Sequence, residues 1–562
     1  MRRCLISFLL IISIILASCQ PLTAPRSPGM SFREFTDTLF CDWASCDSLT
    51  LNYTLKEPSR YNITQLPQGF AAFSTNSSSH SETENMLQRL NEYEKDELPK
   101  QEQILYDTLE DYLTLELSGA SYAKFADILN PSSGIQAQLP VLLAEFHLDS
   151  KEDVSQYFLL LQSVPSYFQL LVQMEKEKQT SGLLPAKTTL EHIIGQCRSF
   201  LSENGCQMIK NCFNQQIRTN FPKEATELAR RHDSYLEKYL IPAYKDMITS
   251  LTALLPDASA DGALAAYPEG KKYYAYLFRQ KSGSSETVAV WQQKLLKRLQ
   301  RAEDKLLSYA AEDPSAFRTC EDYQQRNSSP ESILDTLQEK MKADFPSCRS
   351  TAYELHRVDA SLENYLSPAF YLTPPIDDTS NNAIYINYSP QYSRSSLFNT
   401  LAHEAYPGHL FQNCYMREQN LPLLRYLMDY PAYTEGYATY AEIYSYRYTG
   451  ASPAEVGILQ NNAIASHCLY ALCDIGIHYD HWNKTQLSSF LGEHGISGAE
   501  NTTRIYDAII DSPGSYLPYT VGFLQIEELR QHFPSVKSFH TYLLNMGPTS
   551  FSILKKYEKK KK

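Results

Sequence analysis

The sequence predicts a mainly α-helical fold with one small β element. Three observations predict it. Apolar residues recur at helical spacing, as in SFREFTDTLFCDW from Ser31 and LQRLNEYEKDELPKQEQILYDTLEDYLTLELS from Leu87. Helix-start signals stand ahead of such runs, at Ser150 and at Ser329-Pro330-Glu331. One stretch, Ala383-Ile384-Tyr385-Ile386-Asn387-Tyr388, alternates with β-prone residues and reads as a strand.

Taken in order, the chain reads as follows. STNSSSHSE at 74–82 is a polar loop between helices. The run from Ser150 to Lys178 reads as two helices, because Pro165 has no N–H to donate and interrupts the ladder. Lys223 to Leu255 is again helical. Between 256 and 287, Gly, Pro and Asp loosen the pattern, which marks a subdomain boundary. Residues 365–390 break the helical run and contain the strand, just ahead of a His-bearing helix. An edge strand in that place pairs with an extended peptide backbone by adding it to the sheet. Helices resume at Ser395, with DSPGSYLPYT (511–520) as a loop. The expected organisation is a signal peptide at 1–18, a tether at 19–30 and an N-terminal helical subdomain at 31–260. A catalytic helical subdomain at 261–555 and a basic tail at 556–562 complete it.

Arg2 and Arg3 precede an apolar run from Leu5 to Leu16, too short for a membrane span. Leu16-Ala17-Ser18-Cys19 resembles a bacterial lipobox. That resemblance implies cleavage before Cys19, acylation of its thiol, and an extracytoplasmic protein anchored to a membrane by lipid. Outside the cytoplasm the ten later cysteines are able to pair, with Cys41/Cys46, Cys206/Cys212 and Cys320/Cys348 as the candidates. A net charge of −13 over 562 residues argues against nucleic acid as a partner. Forty tyrosines against three tryptophans suit a wet cleft of peptide or sugar size.

The chemistry concentrates in His403-Glu404-Ala405-Tyr406-Pro407-Gly408-His409. Two imidazoles four residues apart share a helix face and hold one zinc, with the Glu beside the first as general base. Here they are six apart, which turns a regular helix by ~600° and leaves the rings roughly 120° apart. Pro407 and Gly408 supply the irregularity: the helix is expected to bulge or break and swing His409 back toward His403. Glu435, in the weakly charged stretch TEGYATYAE, is the expected third zinc ligand. Glu442, two turns on along the same face, is placed to orient a ligand His. Glu404 is the expected base. Tyr519, Tyr516 and His478 are candidate donors to a developing oxyanion, and Arg425 and Arg447 are cations that lie near the motif.

HEAYPGH (403–409), EGYATYAE (435–442), DIGIH (474–478), PGSYLPYTVG (513–522) and FHTYLLNMGP (539–548) together resemble the bacterial domain-of-unknown-function family 885. That family is itself similar to zinc peptidases of the gluzincin type. SSGIQAQLP (132–140) and YLSPAFYLTPP (365–375) resemble it more weakly. The resemblance implies a large helical zinc-peptidase-like fold, with the metal site buried in a long channel and a small β element beside the active-site helix. By position it implies His403, His409 and Glu435 as zinc ligands and Glu404 as base, and it favours Tyr519 over Tyr516. Members often carry a second His directly after the one matching His409, where this chain has Leu410. The expected function is a membrane-tethered zinc metallopeptidase acting on peptides. The alternatives are a non-catalytic peptide-binding lipoprotein and a zinc amidohydrolase acting on cell-wall fragments.

Overall fold

The computed structural model describes residues 29–558 except 72–76, 203–204, 324–328, 350, 359–362, 364–366, 379–381 and 390–396. Cys19, most of the tether and the last four lysines therefore lie outside the described residues. The fold is mainly α, with one three-stranded sheet among the described residues.

Helix starts follow the side-chain chemistry. The Ser150 hydroxyl accepts the Asp153 N–H, and Asp153 returns the bond to the Ser150 backbone. Ser329 accepts the Ser332 N–H ahead of Pro330. The helix after Ser150 does not end at Pro165: it is one element, Lys151–Ser181. The buried stripe of Leu161, Val164, Phe168 and Leu171 continues across the proline, and that packing outweighs the one hydrogen bond the proline removes. The expected loop at 74–82 is helical from Ser77, within Ser77–Leu90, where Met86 and Leu90 anchor the helix in the core.

Two large apolar clusters form the interior. One joins Leu49, Tyr157, Phe213 and Tyr244 within the N-terminal half. The other gathers Phe35, Trp43 and Leu109 with Trp291, Leu401, Tyr437 and Ile526. The helices Phe32–Ala44 and Lys100–Gly119 thus bury their apolar faces against the C-terminal half.

Strands β1 (Glu354–Arg357), β2 (Ala369–Leu372) and β3 (Ala383–Ile386) are ordered β1-β3-β2. β3 pairs parallel with β1 and antiparallel with β2. The strand expected at 383–388 is therefore the centre of the sheet, with both edges occupied, and cannot take up an extended peptide. The edge strand on the side of the His403 helix is β2, where the Tyr371 N–H donates to the Glu404 carboxylate at 3.1 Å.

Cys41 and Cys206 are thiols, so Cys41/Cys46 and Cys206/Cys212 do not form disulfides. Among the described residues no helix is long and apolar enough to cross a membrane.

Candidate metal centre

The helix carrying His403 ends at Glu404, and a new one begins at His409. Between them the Ala405 and Tyr406 N–H groups both turn to the Leu401 carbonyl, at 2.9 and 3.2 Å. Phe411 N–H reaches back to the Ala405 carbonyl at 3.1 Å. Gly408 is required here because a Cβ would lie 1.7 Å from the His403 carbonyl oxygen. The Tyr437 hydroxyl donates to the Pro407 carbonyl at 2.7 Å and ties this turn to the helix Pro431–Ser445.

That break brings the two imidazoles together, with ring centres 4.8 Å apart and planes at 81°. Glu435 faces both: its Oε2 lies 3.5 Å from His403 Nε2 and 3.5 Å from His409 Nε2. One ligand atom from each of His403, His409 and Glu435 falls within 4.8 Å of the others. All three side chains are buried, and His409 Nε2 and Glu435 Oε2 have no hydrogen-bond partner. Two turns along the same helix, Glu442 Oε2 stands 3.3 Å from His403 Nδ1, so the two carboxylates hold opposite sides of one imidazole ring.

The electrostatics describe a site built around positive charge. Burial works against a charged His403, but the Glu435 and Glu442 carboxylates on either side of the ring outweigh it and lift the imidazole to about 10. Burial also opposes a charged Glu435, yet His409 and His403 hold it at about 2. Glu404 is pushed up chiefly by burial, against the pull of His403 and His409.

Tyr519 reaches the centre from the helix Leu517–Arg530, its ring 6.2 Å from that of His403. The approach of the two helices explains the glycines in EGYATYAE and PYTVG. A Cβ on Gly436 would meet Gly522 backbone at 2.5 Å, and one on Gly522 would meet the Ala432 carbonyl at 2.2 Å. Larger residues would push Tyr519 and Glu435 apart. A cavity of about 690 Å³ opens onto this region, lined by His409, Glu435, Tyr519, Thr434, Gln412 and Lys281 among others.

Other sequence candidates stand elsewhere. His478 is fully buried and does not line the cavity. Its Nδ1 accepts the Leu264 N–H at 3.1 Å, and its Nε2 donates to the Ile509 carbonyl at 3.0 Å. Both nitrogens are engaged by backbone, and burial lowers the ring to about 4, so His478 is a neutral structural residue rather than an oxyanion donor. Tyr516 stacks on Tyr470 at 5.0 Å, outside the cavity lining. Leu410 is fully buried in the main core and does not line the cavity. Arg447 lies over the Tyr444 ring, and Arg425 is buried with its Nη2 donating to the Met546 and Pro548 carbonyls. Sequence reasoning missed the backbone N–H of Tyr371 and the Tyr437 hydroxyl. Both sit in stretches that carry the family resemblance, which was the available signal.

The fold is shared with two solved structures. One, a putative lipoprotein from Colwellia psychrerythraea, superposes with a TM-score of 0.79 at 18% identity, covering 94% of this chain and 98% of that one. The other, a putative lipoprotein of unknown function from Shewanella oneidensis, gives 0.65 at 14% identity, covering 94% and 99%. No curated protein matches this chain. The family described as bacterial protein of unknown function, DUF885, matches residues 73–557, and the chain belongs to it.

Proposed function

We propose that this protein is a zinc metallopeptidase, tethered outside the cytoplasm by a lipid on Cys19. The observation that carries the reading is the convergence of His403, His409 and Glu435 with two buried, unpartnered ligand atoms. Tetrahedral ligands at ~2.0–2.1 Å from zinc stand roughly 3.4 Å apart. The two His–Glu separations here are 3.5 Å. Two imidazoles and one carboxylate are a donor set that zinc takes, leaving a fourth position for substrate or water. Bound there, zinc would supply Lewis acidity and a nucleophile at neutral pH.

The chain's own groups supply the rest. Glu442 fixes the orientation of the His403 ring through Nδ1. Glu404, steadied by the Tyr371 N–H, takes a proton from the attacking water and passes it to the leaving amine. The Tyr519 hydroxyl is the donor to the oxyanion that develops on the scissile carbonyl. β2, the edge strand beside Glu404, is the element that pairs with the peptide backbone. A cavity of about 690 Å³ suits short peptides better than folded proteins.

The test is digestion of a mixed peptide library read by mass spectrometry, with Glu404→Gln as the blank. The reading expects cleavage that is lost by at least ~100-fold in Glu404→Gln. Zinc-loaded protein that cleaves nothing above that blank would overturn it.

A further inference from the structure

A peptide in this cavity has two ends, and an exopeptidase must recognise one of them by charge. Arg425 and Arg447 lie near the motif in sequence, and neither is disposed to do it. The Arg447 guanidinium lies 4.0 Å from the centre of the Tyr444 ring. Arg425 is fully buried: Nη2 is bound to two carbonyls, and its unpartnered Nε and Nη1 are sealed from solvent. Among the other cavity cations, Arg417 spends Nη1 and Nη2 on the Asp378 and Pro374 carbonyls, and Arg279 is exposed.

Lys281 differs from all of these. It lines the cavity and is half-buried, and among the described residues its ammonium has no hydrogen bond or ion pair. It sits in the last turn of the helix Gly270–Ser282. Two residues on, a Cβ at Gly283 would meet the Ala432 Cβ at 3.6 Å, one turn before Glu435. The adjacent Ser282 carbonyl accepts from Gln525 at 2.8 Å, on the helix that carries Tyr519. The end of the Lys281 helix is thus held against both helices that furnish the centre. Glu435 lies about 6 Å of helical rise from Pro431, beside Asp429. Asp429 is within electrostatic range of Lys281 but forms no ion pair with it. A lysine in this setting carries a desolvation cost, and burial lowers its pKa while Asp429 opposes the fall. An anion arriving with the substrate would offset that cost.

We propose that Lys281 anchors the free C-terminal carboxylate of a short peptide bound in the cavity it shares with His409 and Glu435. This rests on the peptidase reading above. Lys281 lines the same cavity as His409, Glu435 and Tyr519. The protein would then release short C-terminal fragments and discriminate against peptides with a blocked C-terminus.

Calorimetric titration of zinc-loaded Glu404→Gln protein with trialanine and with trialanine amide tests this without requiring turnover. The expected result is at least tenfold tighter binding of the free acid. Adding Lys281→Met should abolish the difference, with one zinc per chain and the thermal midpoint retained. Lys281→Arg should keep part of it and controls for a folding defect in the methionine variant. Equal affinity for acid and amide, a preference that survives Lys281→Met, or binding of neither peptide would each overturn the proposal. An acetylated, amidated Ala-Asp-Ala that binds as tightly as trialanine would overturn the terminal assignment, since its only carboxylate is a side chain. The two readings fail separately. Acid preference without any cleavage removes the peptidase and leaves the carboxylate site, whereas cleavage without acid preference removes only the role of Lys281.

Discussion

Two buried histidine clusters in this protein are built on opposite principles. Around His478 every polar group is answered. Leu264 and Ile509 take both ring nitrogens, while next to it the Asp474 carboxylate accepts from the Tyr274 hydroxyl and the Gly514 N–H. Around His403 and His409 the contacts stay incomplete: His409 Nε2 and Glu435 Oε2 are buried without hydrogen-bond partners, and three ligand atoms lie within 4.8 Å of one another. Leaving such groups unpaired costs about 1–3 kcal/mol each. A fold that satisfies one cluster and leaves the other unsatisfied is what the proposed metal centre requires. Burial of histidine alone would not separate them.

That contrast can be broken or sharpened by substitution. The largest effect expected short of removing a ligand is from Glu442→Gln. It leaves the ligand set intact but weakens the grip on His403 Nδ1, so zinc affinity should fall ~10–100-fold, measured by competition with a chelator. An unchanged affinity would mean that Glu442 is only a neighbour. His478→Ala should do the reverse. It strands a buried N–H and a buried carbonyl, lowering stability by about 2–5 kcal/mol in thermal unfolding, with zinc content untouched. Loss of zinc in that variant would erase the distinction drawn between the clusters.

The smallest effect concerns pH. Burial raises the Asp474 carboxyl to about 7, against the hydrogen bonds from Tyr274 and Gly514. A carboxyl whose folded pKa exceeds its unfolded value of ~3.9 binds its proton more tightly in the native state. Its contribution is complete below about pH 4 and is lost as pH rises through about 7. Asp474→Asn, which keeps the shape and removes the titration, should therefore gain in thermal midpoint relative to the parent between pH 5 and 8. A difference between the two that stays constant over that range would contradict the assignment.

Much of the centre was legible in the sequence because its cause is local. Pro407 and Gly408 announced the break between His403 and His409, and the structure ends one helix at Glu404 and begins the next at His409. Glu435 stood out as a carboxylate in an otherwise apolar helical stretch, and it lies inside the site. What was misread depends on partners distant in sequence. The alternation at 383–386 identified a strand, but strand order is set by pairing with 354–357 and 369–372, which put it in the middle of the sheet. Pro165 looked like a helix end because the packing that carries the helix through it is tertiary. His478 sits in a motif shared with the family, and no local pattern says that its nitrogens meet the backbone of Leu264 and Ile509. Lys281 carries no motif; its isolation appears only once the cavity is formed.

The central claim is that His403, His409 and Glu435 hold one metal ion. The most direct measurement is the zinc content of purified protein, stripped with chelator, reloaded and dialysed, compared with Glu435→Ala treated in the same way. The account predicts one zinc per chain in the parent and essentially none in Glu435→Ala. A parent that takes up no zinc, or a Glu435→Ala variant that retains it in full, would contradict the account.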